Sequence, residues 1–293
     1  MCGIVGYVGR EQAAPILLEG LSRLEYRGYD SAGVAVCSAG EGRLEVAKAK
    51  GRLKILSDML HGGADISGTT GIGHTRWATH GAPSDVNSHP QVSRSGRIAV
   101  VHNGIIENYA ELKAFLKEQG IPFASETDTE VVAQLIEYFL ETDKVGLLEA
   151  VGRVLRRIEG AYALGIVSAD VPGQIIAVRK DSPLILGQGQ DFHMLASDVT
   201  AIIQHTRDVI YLEDGELAVL TTEGIQCYSQ LMVPIEKKVS HVDWEIDAAE
   251  KGGYEHFMFK EIMEQPDALR RAISPRIAEG QVVLRTSTWT RRT

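Results

Sequence analysis

The sequence predicts an α+β fold with helices packed outside two facing antiparallel sheets. Strand-like runs follow one another at hairpin spacing through Gly, Asp and Pro turns, rather than alternating with helices as parallel βαβ units require. Helical periodicity is confined to a few separate segments. Apolar residues make up 44% of the 293-residue chain, and two sheets laid face to face would bury the many apolar strand positions.

Residues 3–9 (GIVGYVG) read as a short buried strand. Residues 11–24 switch to helical spacing, with Ile16, Leu17, Gly20, Leu21 and Leu24 on one side and Pro15 tolerable only in the first turn. AGVAVCS and RLEVAKA read as a hairpin across SAGEG, and GRLKILSDML as a short helix. TGIGHTRW and RIAVVHN read as strands separated by a long polar loop that contains His89 and Pro90; a loop of that size is expected to be functional. ENYAELKAFLKEQG is a helix ending at Gly120, and SETDTEVVAQLIEYFL carries Thr127-x-x-Glu130, the spacing of a capping box, ahead of its apolar face. A further helix at about 145–158 precedes the strand-like runs GAYALGIVS, QIIAVRK, one near 192–197, VIYLEDGELAVLT and GIQCYS. From about 238 onward the character changes.

The formal net charge is −9. An acidic surface disfavours nucleic acid and anionic membranes, which points to a small-molecule partner and leaves room for a local basic pocket. Cys2, Cys37 and Cys227 form no even-numbered framework and no CxxC pair, which argues against a disulfide scaffold and against a zinc site. No apolar stretch reaches membrane-spanning length, and the start lacks the pattern of a signal peptide. A cytoplasmic protein with an N-terminus available for chemistry is expected.

The most informative residue is Cys2, which becomes N-terminal once Met1 is removed. A free thiol and an α-amine then belong to one residue. The amine titrates at about 7.7–8.0 and can accept the thiol proton near neutrality. Nucleophile and base arrive together. Four further segments supply what amide hydrolysis by a thiolate needs: EYRGYDSAG, GHTRWATHG, HNGIIEN and SETDTE. Arg76 can grip a carboxylate bidentately, Asp128 near a helix start can face an ammonium, and Asn103 with the Gly104 N–H offers two donors for a tetrahedral oxyanion. The complementary ligand is an amino acid with a side-chain amide. Charge alone does not separate glutamine from asparagine.

These strings, read with the Met-Cys-Gly start, resemble the class II, N-terminal-nucleophile glutamine amidotransferases, and within them the branch that aminates fructose 6-phosphate. The likeness runs from Cys2 to about 225 and resumes in HFMFKEIMEQPDALRRAI (256–273), which is similar to that branch's interdomain connection. The resemblance implies a four-layer α-β-β-α sandwich, the N-terminal-nucleophile hydrolase fold, with L-glutamine as substrate and no cofactor or metal. It implies Cys2 as nucleophile, Asn103 and Gly104 as oxyanion hole, and Arg76 and Asp128 on the α-carboxylate and α-ammonium of glutamine. Trp77, Thr79, His80 and His89 would line or close the pocket, Trp77 gating the passage of ammonia, and Arg27 would help position the cysteine.

The expected organisation is a glutaminase domain over 2–237, then a connector and a truncated or divergent tail over 238–293. The branch's two sugar-isomerase domains, which bind fructose 6-phosphate and mainly mediate its homo-oligomerisation, are expected to be absent from these residues. A stand-alone ammonia-donating glutaminase and a catalytically silent regulatory module are the alternative readings.

Overall fold

The computed structural model describes residues 2–38, 42–78, 80–243, 253–278 and 281–282. The chain divides into two compact units, Met1–Asp243 and Trp244–Thr293.

Two antiparallel sheets form the first unit. The eight-stranded sheet contains β1 (Gly3–Val8), β2 (Ser31–Cys37), β3 (Leu44–Lys50), β4 (Thr70–Arg76), β9 (Ile185–Gln188), β10 (His193–Ala196), β11 (Asp208–Tyr211) and β15 (Ser240–His241), in the order β15-β11-β9-β10-β1-β4-β2-β3. The seven-stranded sheet contains β5 (Gln91–Val92), β6 (Ile98–Ile106), β7 (Gly160–Ser168), β8 (Ile175–Lys180), β12 (Leu217–Leu220), β13 (Ile225–Tyr228) and β14 (Pro234–Ile235), in the order β14-β13-β12-β8-β7-β6-β5. Helices α1 (Ala13–Ser22) and α2 (Leu53–Met59) pack on the first sheet, and α3 (Tyr109–Glu118), α4 (Glu130–Thr142) and α5 (Leu147–Leu155) form a layer against the second.

Period-two alternation sorts side chains between the layers. Ile98 and Val100 of β6 join the cluster under α3–α5, whereas Ala99 and Val101 face the other sheet. Strand β8 does the same, with Ile176 and Val178 toward the helices and Ile175 and Ala177 between the sheets. Small residues let the sheets approach: a Cβ at Gly165 would lie 2.8 Å from Leu195 Cδ2 and 3.0 Å from Val101 Cγ2. The predicted α+β sandwich with helices outside antiparallel sheets is therefore the observed fold.

Two local expectations need correction. Short strands β5, β9, β14 and β15 escaped the sequence reading because two to four residues carry too little periodicity. The capping box at Thr127 does not form: α4 begins at Glu130, its N-cap is Thr129, and no side chain caps it. Glu130 instead accepts from the Ala124 N–H at 2.9 Å, the Ser125 N–H at 2.6 Å and the Ser125 hydroxyl at 2.7 Å. Gln134 Nε2 adds a further donor at 3.2 Å, and Asp128 turns toward β6, where it accepts the Ile106 N–H.

Pairing of β15 with β11 at Asp208 and Val209 carries the first unit past residue 237, to the division after Asp243. Within the second unit, α6 (Phe257–Ile273) holds Pro266 and leads through a 3₁₀ turn at Ser274–Arg276 into a small hairpin of β16 (Ile277–Ala278) and β17 (Gln281–Val282). Met258, Ile262 and Met263 of α6 are exposed. The tail at 284–293 lies outside the described residues. Among the described residues no helix is long and apolar enough to cross a membrane.

Candidate active site

Strand β1 lies inside the eight-stranded sheet, between β4 and β10, and this fixes the start of the chain. Gly3 pairs with Thr75, which puts Cys2 alongside the end of β4 at Arg76. A side chain at Gly3 has no room, since a Cβ would lie 2.7 Å from both Leu24 Cβ and Thr75 Oγ1. Beyond β10, Ser197 extends the pairing: its Oγ accepts the Ile4 N–H at 3.0 Å, and its own N–H donates to the Ile4 carbonyl at 3.1 Å.

The Cys2 thiol accepts a hydrogen bond from the Trp77 N–H at 3.1 Å and donates to the Trp77 carbonyl at 3.5 Å. Burial pushes the thiol pKa up, opposed by the Trp77 N–H and the Arg76 guanidinium and reinforced by Asp30. A thiol held in this way is neutral at rest and needs a base to become a nucleophile. Asp30 also shapes the strand end beside it, accepting from the Ala78 N–H at 2.9 Å while its own N–H donates to the Arg76 carbonyl at 3.0 Å.

The facing sheet delivers Asn103 and Gly104 on β6. Asn103 Nδ2 donates to the Cys2 carbonyl at 3.0 Å and has a second hydrogen to give. Gly104 adopts φ +131°, and a Cβ there would overlap the Ala161 carbonyl oxygen. Arg76 uses Nη2 on the carbonyls of His80 and Gly81, whereas its Nη1 is buried without a partner. An orphaned guanidinium nitrogen at a pocket wall is what an anionic ligand satisfies. Asp128 accepts the Ile106 N–H at 2.8 Å through Oδ2. Cys2, Arg76, Asn103, Gly104 and Asp128 all line one pocket of about 340 Å³.

Three buried histidines cluster here, His89 and His102 lining the pocket and His74 beside them. The His74 and His89 rings are 4.5 Å apart, and those of His89 and His102 stack at 6.5 Å. His89 Nδ1 accepts the His102 N–H at 3.4 Å, and His102 Nδ1 lies 2.9 Å from Thr129 Oγ1. Burial lowers the pKa of all three, at His89 well below the usual imidazole value with neighbouring cationic groups adding to the effect; Asp128 partly offsets it at His102. They are neutral hydrogen-bonding groups at physiological pH. Among the described residues no group of three or more His, Cys, Asp or Glu is placed to hold a metal ion.

The other sequence candidates fall in several places. Trp77 and His89 line the pocket; Trp77 is half exposed at its mouth, edge-on to Tyr29 at 5.7 Å. Arg27 also lines it, pairing with Asp198 at 2.6 Å and donating from Nε to the Tyr26 hydroxyl at 2.8 Å. His80 is not among the lining residues; its ring packs against Tyr109 at 5.5 Å and its carbonyl holds Arg76. Thr79 lies outside the described residues. Sequence reasoning gave no role to Asp30 or His74, although both sit inside the singled-out strings. Ile105 also lies inside a singled-out string, whereas Ser182 and Ser197 carried no local signal, because only sheet pairing and loop packing bring them to the pocket.

A thiol, a side-chain amide, a guanidinium nitrogen without a hydrogen-bond partner and a carboxylate around one pocket suit acyl transfer from a zwitterionic amide. Comparisons with known proteins agree. Residues 74–204 match a family model described as a glutamine amidotransferase domain. The chain is 55% identical over 283 residues to a glutamine-fructose-6-phosphate aminotransferase (isomerizing) of Clostridium acetobutylicum, covering 97% of this chain and 46% of that protein. For the protein of the same name from Bacteroides thetaiotaomicron the identity is 51% over 278 residues, 94% of this chain and 45% of the relative. The chain thus spans about half the length of the curated relatives it matches. Among solved structures, the glutamine phosphoribosylpyrophosphate amidotransferase of B. subtilis superposes with a TM-score of 0.67 at 28% identity, over 78% of this chain and 49% of that one. A glutamine aminotransferase class-II domain protein from Silicibacter pomeroyi, at 15% identity and a TM-score of 0.53 over 78% of this chain and 99% of that one, shares the fold. The chain carries a glutamine amidotransferase domain of the N-terminal-nucleophile fold and is homologous over nearly all its length to the glutamine-fructose-6-phosphate aminotransferases.

Proposed function

We propose that this chain hydrolyses L-glutamine to glutamate and ammonia through a thioester on Cys2, as the glutaminase half of an aminotransferase acting on fructose 6-phosphate. The observation that carries the reading is the meeting of the Cys2 thiol with Asn103 and Gly104, brought from the other sheet, at a pocket also walled by Arg76 and Asp128. Once Met1 is removed, the Cys2 amine takes the thiol proton, directly or through water. The sulfur attacks the side-chain amide carbon, and the oxyanion that forms receives hydrogen bonds from Asn103 Nδ2 and the Gly104 N–H. Collapse of this intermediate breaks the C–N bond, the amine returns its proton to the leaving nitrogen, and ammonia departs. Water then cleaves the thioester to glutamate and restores the thiol. The names of the relatives supply the acceptor, fructose 6-phosphate, as the destination of the ammonia.

The test is glutamate release from glutamine by the purified 293-residue polypeptide, with and without fructose 6-phosphate. Glutamate release without glucosamine 6-phosphate is the expected result for these residues tested by themselves. Amino sugar formed by this polypeptide alone would refute the half-enzyme assignment, and absence of glutamate release from a processed, folded chain would refute the glutaminase reading.

Arg76 and Asp128 are proposed to clamp the backbone end of glutamine. Charged hydrogen bonds of about 1.5–3 kcal/mol correspond to a KM raised on the order of 10- to 100-fold in Arg76→Gln and Asp128→Asn, with kcat little changed, because this end of the substrate is bound alike in ground and transition states. Asn at 128 keeps an acceptor for the Ile106 N–H, so the fold is retained. Steady-state kinetics showing a fall in kcat at constant KM would rule out the clamp.

A further inference from the structure

We propose that His74 is a positioning residue for the oxyanion donor: its Nε2–H holds the Asn103 side-chain oxygen and thereby aims the Asn103 NH₂ at Cys2. The proposal rests on the glutaminase reading and adds to it the group that sets which way the amide faces. His74 Nε2 lies 2.9 Å from Asn103 Oδ1 and 3.1 Å from the His102 carbonyl oxygen, whereas its Nδ1 is buried with no hydrogen-bond partner.

That pattern selects one of the three forms of the ring. With the proton on Nε2, one donor serves two oxygens and only a lone pair at Nδ1 goes unused. With the proton on Nδ1, a buried N–H has no acceptor and a lone pair faces two carbonyl-type oxygens. The imidazolium would bury both a charge and an unpartnered N–H. Complete burial pushes the imidazole pKa down to about 3, in agreement with the neutral ring.

The fixed donor then dictates the amide. Only Oδ1 of Asn103 can face His74, so Nδ2 must face the other way, where it donates to the Cys2 carbonyl at 3.0 Å. A flipped amide would set its N–H₂ against the Nε2–H and lose both hydrogen bonds. The ring is itself held: His74 sits on β4 between Ile4 and Gly33 of the neighbouring strands, and His89 packs on it at 4.5 Å. The His89 backbone passes over the sheet at Gly33, where a Cβ would overlap its carbonyl oxygen. The long loop of the sequence reading therefore braces the imidazole that orients the donor.

The test is a double-mutant cycle on glutamate release, using the whole chain and the variants His74→Phe, Asn103→Ala and their combination. His74→Phe lowers kcat on the order of 10²-fold, the effect of losing an oxyanion donor, with KM changed by less than about threefold. In the Asn103→Ala background the same substitution changes kcat by less than about threefold, since the group it orients is gone. His74→Gln, whose side-chain N–H₂ reaches the same distance, recovers most of the rate and covers the case in which Phe perturbs folding. A loss that is undiminished in the Asn103→Ala background overturns the proposal and leaves the glutaminase reading intact. If the wild-type chain releases no glutamate, that reading fails by itself, and long-range ¹H–¹⁵N spectra of the His74 ring decide the positioning role. An Nε2–H tautomer, with Asn103 side-chain amide resonances that move in His74→Gln, supports it, and an Nδ1–H tautomer overturns it.

Discussion

Cys2→Ala is expected to reduce glutamate release by at least about 10⁴-fold, the scale of losing a nucleophile, with the melting temperature unchanged. The thiol makes hydrogen bonds only with the Trp77 backbone among the described residues, so its loss leaves the sheet intact. The other two cysteines provide the control. Burial pushes the thiols of Cys37 and Cys227 up to about 11, so both stay protonated and unreactive at neutral pH. Iodoacetamide should therefore label the native chain at Cys2 alone, and glutamine should protect it. Replacing Cys37 or Cys227 by alanine should leave kcat within about threefold of the wild type, because neither is among the residues that line the pocket. An unprocessable N-terminal extension should match Cys2→Ala, since it removes the free amine while keeping the sulfur. Full activity in the extended protein would disprove the amine's role as base.

Gly104→Ala is expected to damage both stability and rate. The position combines φ +131° with a clash against the backbone of Ala161, which cannot swing away as a side chain could. Strain of 1–3 kcal/mol for the dihedral, added to displacement of β7, gives a loss of about 3 kcal/mol or more, a fall in Tm on the order of 10 °C. Whatever protein remains folded should turn over about 10²-fold more slowly, because the shifted strand carries one proposed oxyanion donor directly and the other on the preceding residue. Gly173→Ala makes the comparison. That glycine also has positive φ, +79°, but a Cβ there meets nothing within 4 Å. Its substitution should cost about 1 kcal/mol and no activity. Equal thermal shifts in the two variants would show that the Ala161 clash is unimportant.

The long, periodic elements were legible before any coordinates. Ile16, Leu17, Leu21 and Leu24 are buried as their spacing demanded, and β6 and β7 alternate cleanly between the two sides of their sheet. Legibility failed where a residue's partner lies outside its own window. Glu130 had the right spacing to cap with Thr127, yet tertiary folding offered it the N–H groups of Ala124 and Ser125. Within the pocket, Arg76, Asn103, Gly104 and Asp128 were readable because their chemistry marks them. Asp30 and His74 were not, because they touch the pocket through other residues, and that relation exists only once strands are paired. Ser197 lay furthest from view: an ordinary serine acquires its place solely by meeting Ile4 across the sheet.

That last pairing also orders events in time. Ile4 and Ser197 are separated by 193 positions, and Asn103 and Asp128 join the pocket from the intervening chain. During synthesis the thiol leaves the ribosome first and the groups that make it useful follow much later. A nascent chain that ends before Asn103 carries the thiol without Asn103, Gly104 or Asp128, three of the residues that wall its pocket. The chain start is closed in by the same pairing, since β1 becomes an interior strand flanked on both sides. The thiol is thus made early and meets its surroundings only when the later strands arrive.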